Sequence, residues 1–358
     1  MTTLSDAYRN APLLPHHIIP LDFDSVKHVP ESHSWENSDS GLLIRIQPQP
    51  PESLPIIDLA DPSALNLVGQ ACQTWGMFQV TNHGISSALL RDVEYETGRF
   101  FSLPAKEKTK ALRSPGGASG YGVARITPFF NKFMWHEGFT IVESPVDHAR
   151  EVWPHAYQRF CEVMEEYQKK MKELAERLLV LILKYLGLPG EPHDLHWLPH
   201  PPSDDPFRPA SCTALQLNYY PSCPNPAQAM GLAPHTDSFL LTILHQVNGT
   251  HGGLEVLKDG AGWVRVVPTE GALVVNVGDM LRIMSNDLFP SVLHRVVVDK
   301  TRHRMSLAYF YGPPMDHRLS PILAGGAPVR FRPVTVREYI EMKAKNLDDA
   351  LSRVRVRS

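Results

Sequence analysis

A chain of 358 residues with 43% hydrophobic and 20% charged side chains has the make-up of a soluble globular protein able to bury a sizeable core. Its net charge of -3 denies it the basic stripe of a nucleic-acid binder, so no nucleic-acid partner is expected. Four scattered cysteines (Cys72, Cys161, Cys212, Cys223) form no CxxC pair, which argues against a cysteine zinc site or a disulfide framework and for reduced thiols in a cytoplasmic protein. The start, MTTLSDAYRNAPLL, lacks the pattern of a secretory signal. The best apolar run, LLVLILKYLGL at 178–188, is broken by Lys184 and too short to span a bilayer, so no membrane partner is expected either.

In chain order, residues 1–50 are rich in Pro, His and Ser without a sustained period and read as an extended N-terminal arm. PIIDLA (55–60) predicts a short buried strand, 63–76 a helix through Leu65, Val68, Ala71 and Cys72, and MFQVTNHG (77–84) a strand closing on a turn. A further helix, SALLRDVEYETGRFF, stops near Pro104, and a Gly-rich aromatic loop follows at 116–140. Between 154 and 188 the apolar positions Phe160, Val163, Met164, Tyr167, Met171, Leu174 and Leu178 recur at helical spacing, the clearest helix in the chain. A Pro-rich loop covers 190–209. Beyond 210, many short strands separated by turn residues indicate a β-sandwich or barrel. The last helix opens at Thr335, a plausible N-cap with Glu338 as its partner. The predicted division is an arm (1–50), a helical N-terminal region (51–205), a β core (206–315) and a C-terminal helical segment (316–358), with no internal repeat.

PHTDSFLLTILHQ (234–246) places His235 and Asp237 two apart, on one face of a strand. Among 17 histidines a His-x-Asp arises by chance, so the tripeptide alone is equally an ordinary polar pair beside a core strand. SVLHRVVVD adds His294 at the start of a later strand, where a barrel mouth supplies a third ligand. Two imidazoles and one carboxylate are the facial set of non-haem Fe(II) oxygenases, whereas a closed zinc site takes four ligands, usually with cysteine. HDLHWLPH offers His193, His196 and His200, but Pro192 and Pro199 bracket the stretch and favour a solvated loop. His83 reads as a turn or core residue, and His16 and His17 as solvent-facing. In RHRMS, Arg304 and Ser306 share a strand face; a guanidinium fork with a hydroxyl beside it matches a carboxylate, and the phenol of Tyr220 can join them. The alternative is a surface salt bridge, but on an apolar strand an unpaired guanidinium is costly.

HTD, His294 and RHRMS, with NYYPSCP ahead of them and WGMFQVTNHG in the N-terminal half, together resemble the plant 2-oxoglutarate- and Fe(II)-dependent dioxygenases over residues 54–345. Within that group the chain is most similar to the gibberellin 3-beta-dioxygenases, through SGYGVARITPFFNKFMWHEGFTI, AMGLAPHTDS, GALVVNVGD, SNDLFPSVLHRV and KAKNLDDALSRVR. The resemblance implies an α+β fold: a double-stranded β-helix (jelly-roll) core, a helical N-terminal half and a C-terminal helix. It implies Fe(II) on His235, Asp237 and His294, and the C5 carboxylate of 2-oxoglutarate on Arg304, Ser306 and Tyr220. O2 is then the oxidant and ascorbate the reductant. The implied reaction is 3-beta-hydroxylation of a gibberellin, with release of succinate and CO2. The rival readings are a gibberellin 2- or 20-oxidase, a specialised-metabolite hydroxylase, and a non-catalytic ligand-binding barrel. A rigid diterpenoid carboxylate asks for a mostly apolar pocket with one anion partner. Tyr121, Arg125, Phe129, Phe130 and Trp135 are the candidate walls and cation, against core packing for the aromatics and a surface role for Arg125. The chain departs from the group at His136, Pro234 and Phe239, which bears on the substrate rather than on iron.

Overall fold

The computed structural model describes residues 3–35, 53–187, 211–247, 249, 252–322, 328–347 and 349–356; the three-histidine stretch at 193–200 lies outside them. Its helices are α1 (Leu4–Arg9), α2 (Ala64–Thr74), α3 (Ser87–Phe101), α4 (Ala105–Lys108), α5 (Val146–Val152), α6 (Gln158–Tyr185), α7 (Asp279–Met284), α8 (Val336–Asn346) and α9 (Asp349–Arg353). The stripe expected of the long helix is buried along α6, from Phe160 to Leu178 and on to Leu183. Thr335 and Glu338 form a reciprocal capping box at the start of α8.

α1 comes from the predicted arm. Thr3 and Asp6 form a capping box at its N-terminus, and Leu4 and Ala7 are buried where it packs on α8. Six residues are too short for a hydrophobic period to emerge, so the sequence shows only polar texture there. Ile18 and Trp35, also in the arm, are buried. This arm is therefore part of the body as far as Trp35.

The strands are β1 (Ile56–Asp58), β2 (Met77–Thr81), β3 (Gly120–Gly122), β4 (Glu137–Ile141), β5 (Cys212–Tyr220), β6 (Leu232–His235), β7 (Leu241–Gln246), β8 (Leu254–Lys258), β9 (Gly262–Arg265), β10 (Leu273–Val277), β11 (His294–Val296), β12 (Arg304–Gly312), β13 (Arg318–Leu319) and β14 (Val334–Thr335). A large sheet runs β1-β2-β10-β7-β12-β5-β4-β3 and a smaller one β6-β11-β8-β9. Apart from the parallel β1–β2 pair, the ladders of both are antiparallel. The fold is α+β, a double-stranded β-helix core with helices gathered largely from the N-terminal half. α6 lies on the large sheet against β7 and β12, and the cavity described below opens on the other face. Two pieces of the glycine-rich loop expected at 116–140 are strand: β3 and β4 extend the large sheet at one edge. Glycines at both ends of β3 hide its alternation from a sequence reading.

The two sheets meet where β10 ends. The amide of Gly278 donates to Leu240 O and that of Asp279 to Asp237 O, which ties the loop after β6 to the end of the large sheet. A Cβ on Gly278 would sit 2.0 Å from the backbone oxygen of Phe239, which no side-chain rotation relieves. Gly278→Ala is expected to cost about 1–3 kcal/mol, the range for overpacking a tight junction, read as a lower urea midpoint in equilibrium unfolding. An unchanged midpoint would show that the junction yields.

Candidate metal centre and cavity

His235 ends β6 and faces His294, the first residue of β11, as its partner across the antiparallel ladder. Opposite residues of such a pair project from the same sheet face, and the two rings lie 4.3 Å apart. Each ring is oriented from behind: His235 Nδ1 lies 2.8 Å from Ala233 O and His294 Nδ1 lies 3.2 Å from Val292 O. A carbonyl only accepts, so Nδ1 carries the hydrogen and the Nε2 lone pair points to the centre. Asp237 follows two residues after His235. Its Oδ2 accepts from Thr242 Oγ1 at 2.6 Å and Asn276 Nδ2 at 2.7 Å. That leaves Oδ1 3.7 Å from His235 Nε2 and 3.8 Å from His294 Nε2. The three donor atoms lie within 4.8 Å of one another.

Burial, reinforced by the His294 ring, pushes His235 down to about 4, so it is neutral at neutral pH. Burial works against the charge of Asp237, but the two imidazoles and the bonds from Thr242 and Asn276 outweigh it and hold the carboxyl below its usual range. Two imidazole nitrogens and one committed carboxylate oxygen suit a divalent iron and leave its other positions open. No thiol takes part, since the four cysteines are all free and buried elsewhere.

Arg304 opens β12 opposite Tyr220, with its guanidinium carbon 5.1 Å from that ring's centroid. Nη1 donates to Ser306 Oγ at 2.8 Å and Nη2 to Gln246 Oε1 at 3.3 Å, while Nε has no partner. The side chain is 2% exposed and faces no carboxylate within ion-pair distance among the described residues. A buried cation held by neutral groups alone is costly, and an anionic ligand offsets that cost. The same donors fit a carboxylate at this point.

Between the metal triad and Arg304 lies a cavity of about 240 Å³, walled in part by Leu232, Leu244, Leu254, Val296 and Phe239. Of the five candidate wall residues, Arg125 and Phe129 line it. Tyr121, Phe130 and Trp135 are not among its lining residues. The Tyr121 hydroxyl donates to Glu137, whose carboxylate also takes Lys108 Nζ at 2.7 Å. Phe130 packs on Trp35 at 5.6 Å and Trp135 on Phe23 at 4.8 Å. Those partners sit in the arm, and no local pattern announces an arm that folds back.

His136 and Phe239 line the cavity, but Pro234 does not; it stands in β6, an edge strand, where a missing N–H is tolerated. His136 Nε2 lies 3.0 Å from Asn218 Oδ1, and burial pushes the ring down to about 4. His83 is a turn residue, bonded to Gly271 O and to the amide of Ile85. The sequence reading missed Thr242, Asn276 and Gln246. Asn276 and Thr242 had a signal, each a polar residue inside an apolar run, in β10 and β7; Gln246 had none.

Residues 211–313 match the model of the 2OG-Fe(II) oxygenase superfamily, and residues 54–158 that of the N-terminal region named for non-haem dioxygenases in morphine synthesis. Gibberellin 3-beta-dioxygenase 1 of Pisum sativum is 50% identical over 99% of this chain and 94% of its own length. Gibberellin 3-beta-dioxygenase 1 of Arabidopsis thaliana is 48% identical over 98% of both. Among solved structures, JOX2 in complex with 2OG, Fe and JA superposes with a TM-score of 0.77 at 28% identity, over 93% of this chain and 95% of that one. The rice dioxygenase for auxin oxidation gives 0.68 at 26% identity, over 85% of this chain and 100% of that one.

Asn276→Ala should weaken Fe(II) binding by about 10–100-fold, the usual effect of losing a group that orients a ligand, in an anaerobic titration. Wild-type affinity would mean that Asp237 does not depend on Asn276.

Proposed function

The chain belongs to the gibberellin 3-beta-dioxygenase family of the 2OG-Fe(II) oxygenases, and from that premise we propose that it hydroxylates a gibberellin at the 3-beta position. The observation that carries the chemistry is the convergence of His235 Nε2, His294 Nε2 and Asp237 Oδ1 on one point beside a cavity with a buried arginine that meets no carboxylate among the described residues. Bound there, iron and 2-oxoglutarate supply the oxidising chemistry: O2 is consumed, 2-oxoglutarate becomes succinate and CO2, and a substrate C–H becomes C–OH.

Everything else falls to the side chains. His235 and His294 turn their Nε2 atoms to the centre, and Asp237 keeps one oxygen free because Thr242 and Asn276 occupy the other. Arg304, steadied by Ser306 and Gln246, takes the far carboxylate of 2-oxoglutarate, with the Tyr220 ring beside it. Arg304 thereby sets how far the keto acid reaches toward the metal. Leu232, Leu254, Val296 and Phe239 keep water from the reacting carbon and pack an apolar diterpenoid skeleton. Among the described residues no helix is long and apolar enough to cross a membrane. With four free cysteines, the cytosol is the compartment we assign.

The test is anaerobic loading with Fe(II) and 2-oxoglutarate, then oxygen and ascorbate, with product identification across gibberellins and a flavonoid control. A 3-beta-hydroxylated product is expected; hydroxylation at another carbon, or of the flavonoid alone, would displace this reading. Asp237→Ala should abolish succinate formation, and retained activity would remove the triad. Arg304→Ala should raise the KM for 2-oxoglutarate by about 10–100-fold, as expected when a charged hydrogen-bond partner is lost.

A further inference from the structure

The cavity holds a second cationic end that neither iron nor the keto acid uses. Arg113 lines it at 3% exposure, and its Nε has no partner. Its Nη2 donates to Val123 O at 2.6 Å. Gly120, at φ +116, lets the chain close on it: a Cβ there would lie 2.8 Å from Arg113 Cα. Arg125 lines the same end, donates from Nη1 to Gly117 O at 2.6 Å, and stacks over the Tyr8 ring at 3.7 Å. Tyr8 also lines the cavity, from the arm just inside the body on α1.

Two guanidinium groups thus share this corner, Arg113 buried and Arg125 half-buried, and neither has an ion-pair partner among the described residues. Asp237 is the only carboxylate among the described lining residues, and it belongs to the metal. Lys343, which also lines the cavity, is matched by Asp279 at 2.7 Å. His136, which feels both Arg113 and Arg304, stays neutral. Burial and the nearby Arg125 push Arg113 down to about 9, so it is still charged at neutral pH. Like charges buried together without a counter-ion destabilise a fold, and a ligand carboxylate supplies the missing charge.

We propose that Arg113, backed by Arg125 and Tyr8, is the subsite that binds the carboxylate of an apolar substrate and so sets which carbon faces the metal. The proposal rests on the gibberellin reading for its ligand. It adds a residue to that reading: Arg113, through its unpartnered Nε, holds the acid, and Arg304 at the other end holds the keto acid. The competing role is structural, since Arg113 also braces the chain at Val123.

Calorimetry on the full chain, loaded with Fe(II) and 2-oxoglutarate without oxygen, separates the two. The probes are a gibberellin lacking the 3-hydroxyl and the methyl ester of its carboxylate. The wild type should bind the acid about 10–100-fold more tightly than the ester, the worth of a charged hydrogen bond. Arg113→Gln should lose that preference while binding the ester and 2-oxoglutarate as the wild type does; Arg113→Lys should recover part of it. Equal loss of acid and ester in Arg113→Gln, or no preference in the wild type, would overturn the subsite. If the wild type binds neither, the gibberellin reading falls and the subsite is judged on cyclohexanecarboxylate. That acid should raise the Tm of the wild type but not of Arg113→Gln. An equal rise in both, or none in either, overturns the proposal as well.

Discussion

The register that sets His235 opposite His294 is the constraint on which the rest of the site depends. Strand side chains alternate faces, so a one-residue slip of β6 would turn an imidazole away from the centre and dissolve the metal set. β6 is a four-residue edge strand containing a proline, too little to hold its own register. It is held instead from both sides. β8 pairs the other flank of β11, and the Asp279 amide fastens Asp237 just past the end of β6. The absence of a side chain at Gly278 lets that fastening close.

The two sheets divide the charges between them. The small sheet carries the two ligand histidines and leads into the single acid, while β12 of the large sheet and the chain around β3 bring cations. The cavity is therefore short of negative charge among the described residues, an arrangement suited to a keto acid with two carboxylates plus an acidic substrate. Unmatched cations cost stability, and the packing of α6 on the large sheet, with fully buried Tyr167, Met171, Leu178 and Leu179, offsets that cost away from the site.

Both described ends of the chain take part in the substrate side. Leu4 and Tyr8 from α1 and Ile340, Lys343 and Leu347 from the α8 region line the cavity, and α1 packs on α8. The metal set is thus built by the β core, while the cavity beside it is lined both by that core and by segments outside it. His136 from just ahead of β4 and Phe239 from the loop after β6 line it together.

Period and spacing made much of this molecule legible in advance. The stripe of α6, the run of strands beyond 210, the shared face of His235 and Asp237, and that of Arg304 and Ser306 follow from intervals of 3.6 and 2, which neighbours in the chain determine by themselves. A resemblance in motif then named iron and the keto acid. Only the tertiary structure decided which residues serve those groups from a distance. Thr242, Asn276 and Gln246 lie on strands that the sheet order brings beside Asp237 and Arg304. It also placed Tyr121, Phe130 and Trp135 against a buried ion pair and an arm folded back from the N-terminus, and brought Arg113 and Tyr8 to the cavity lining. Local geometry is written in local sequence; which charged side chain is left without a partner is settled only when distant segments meet.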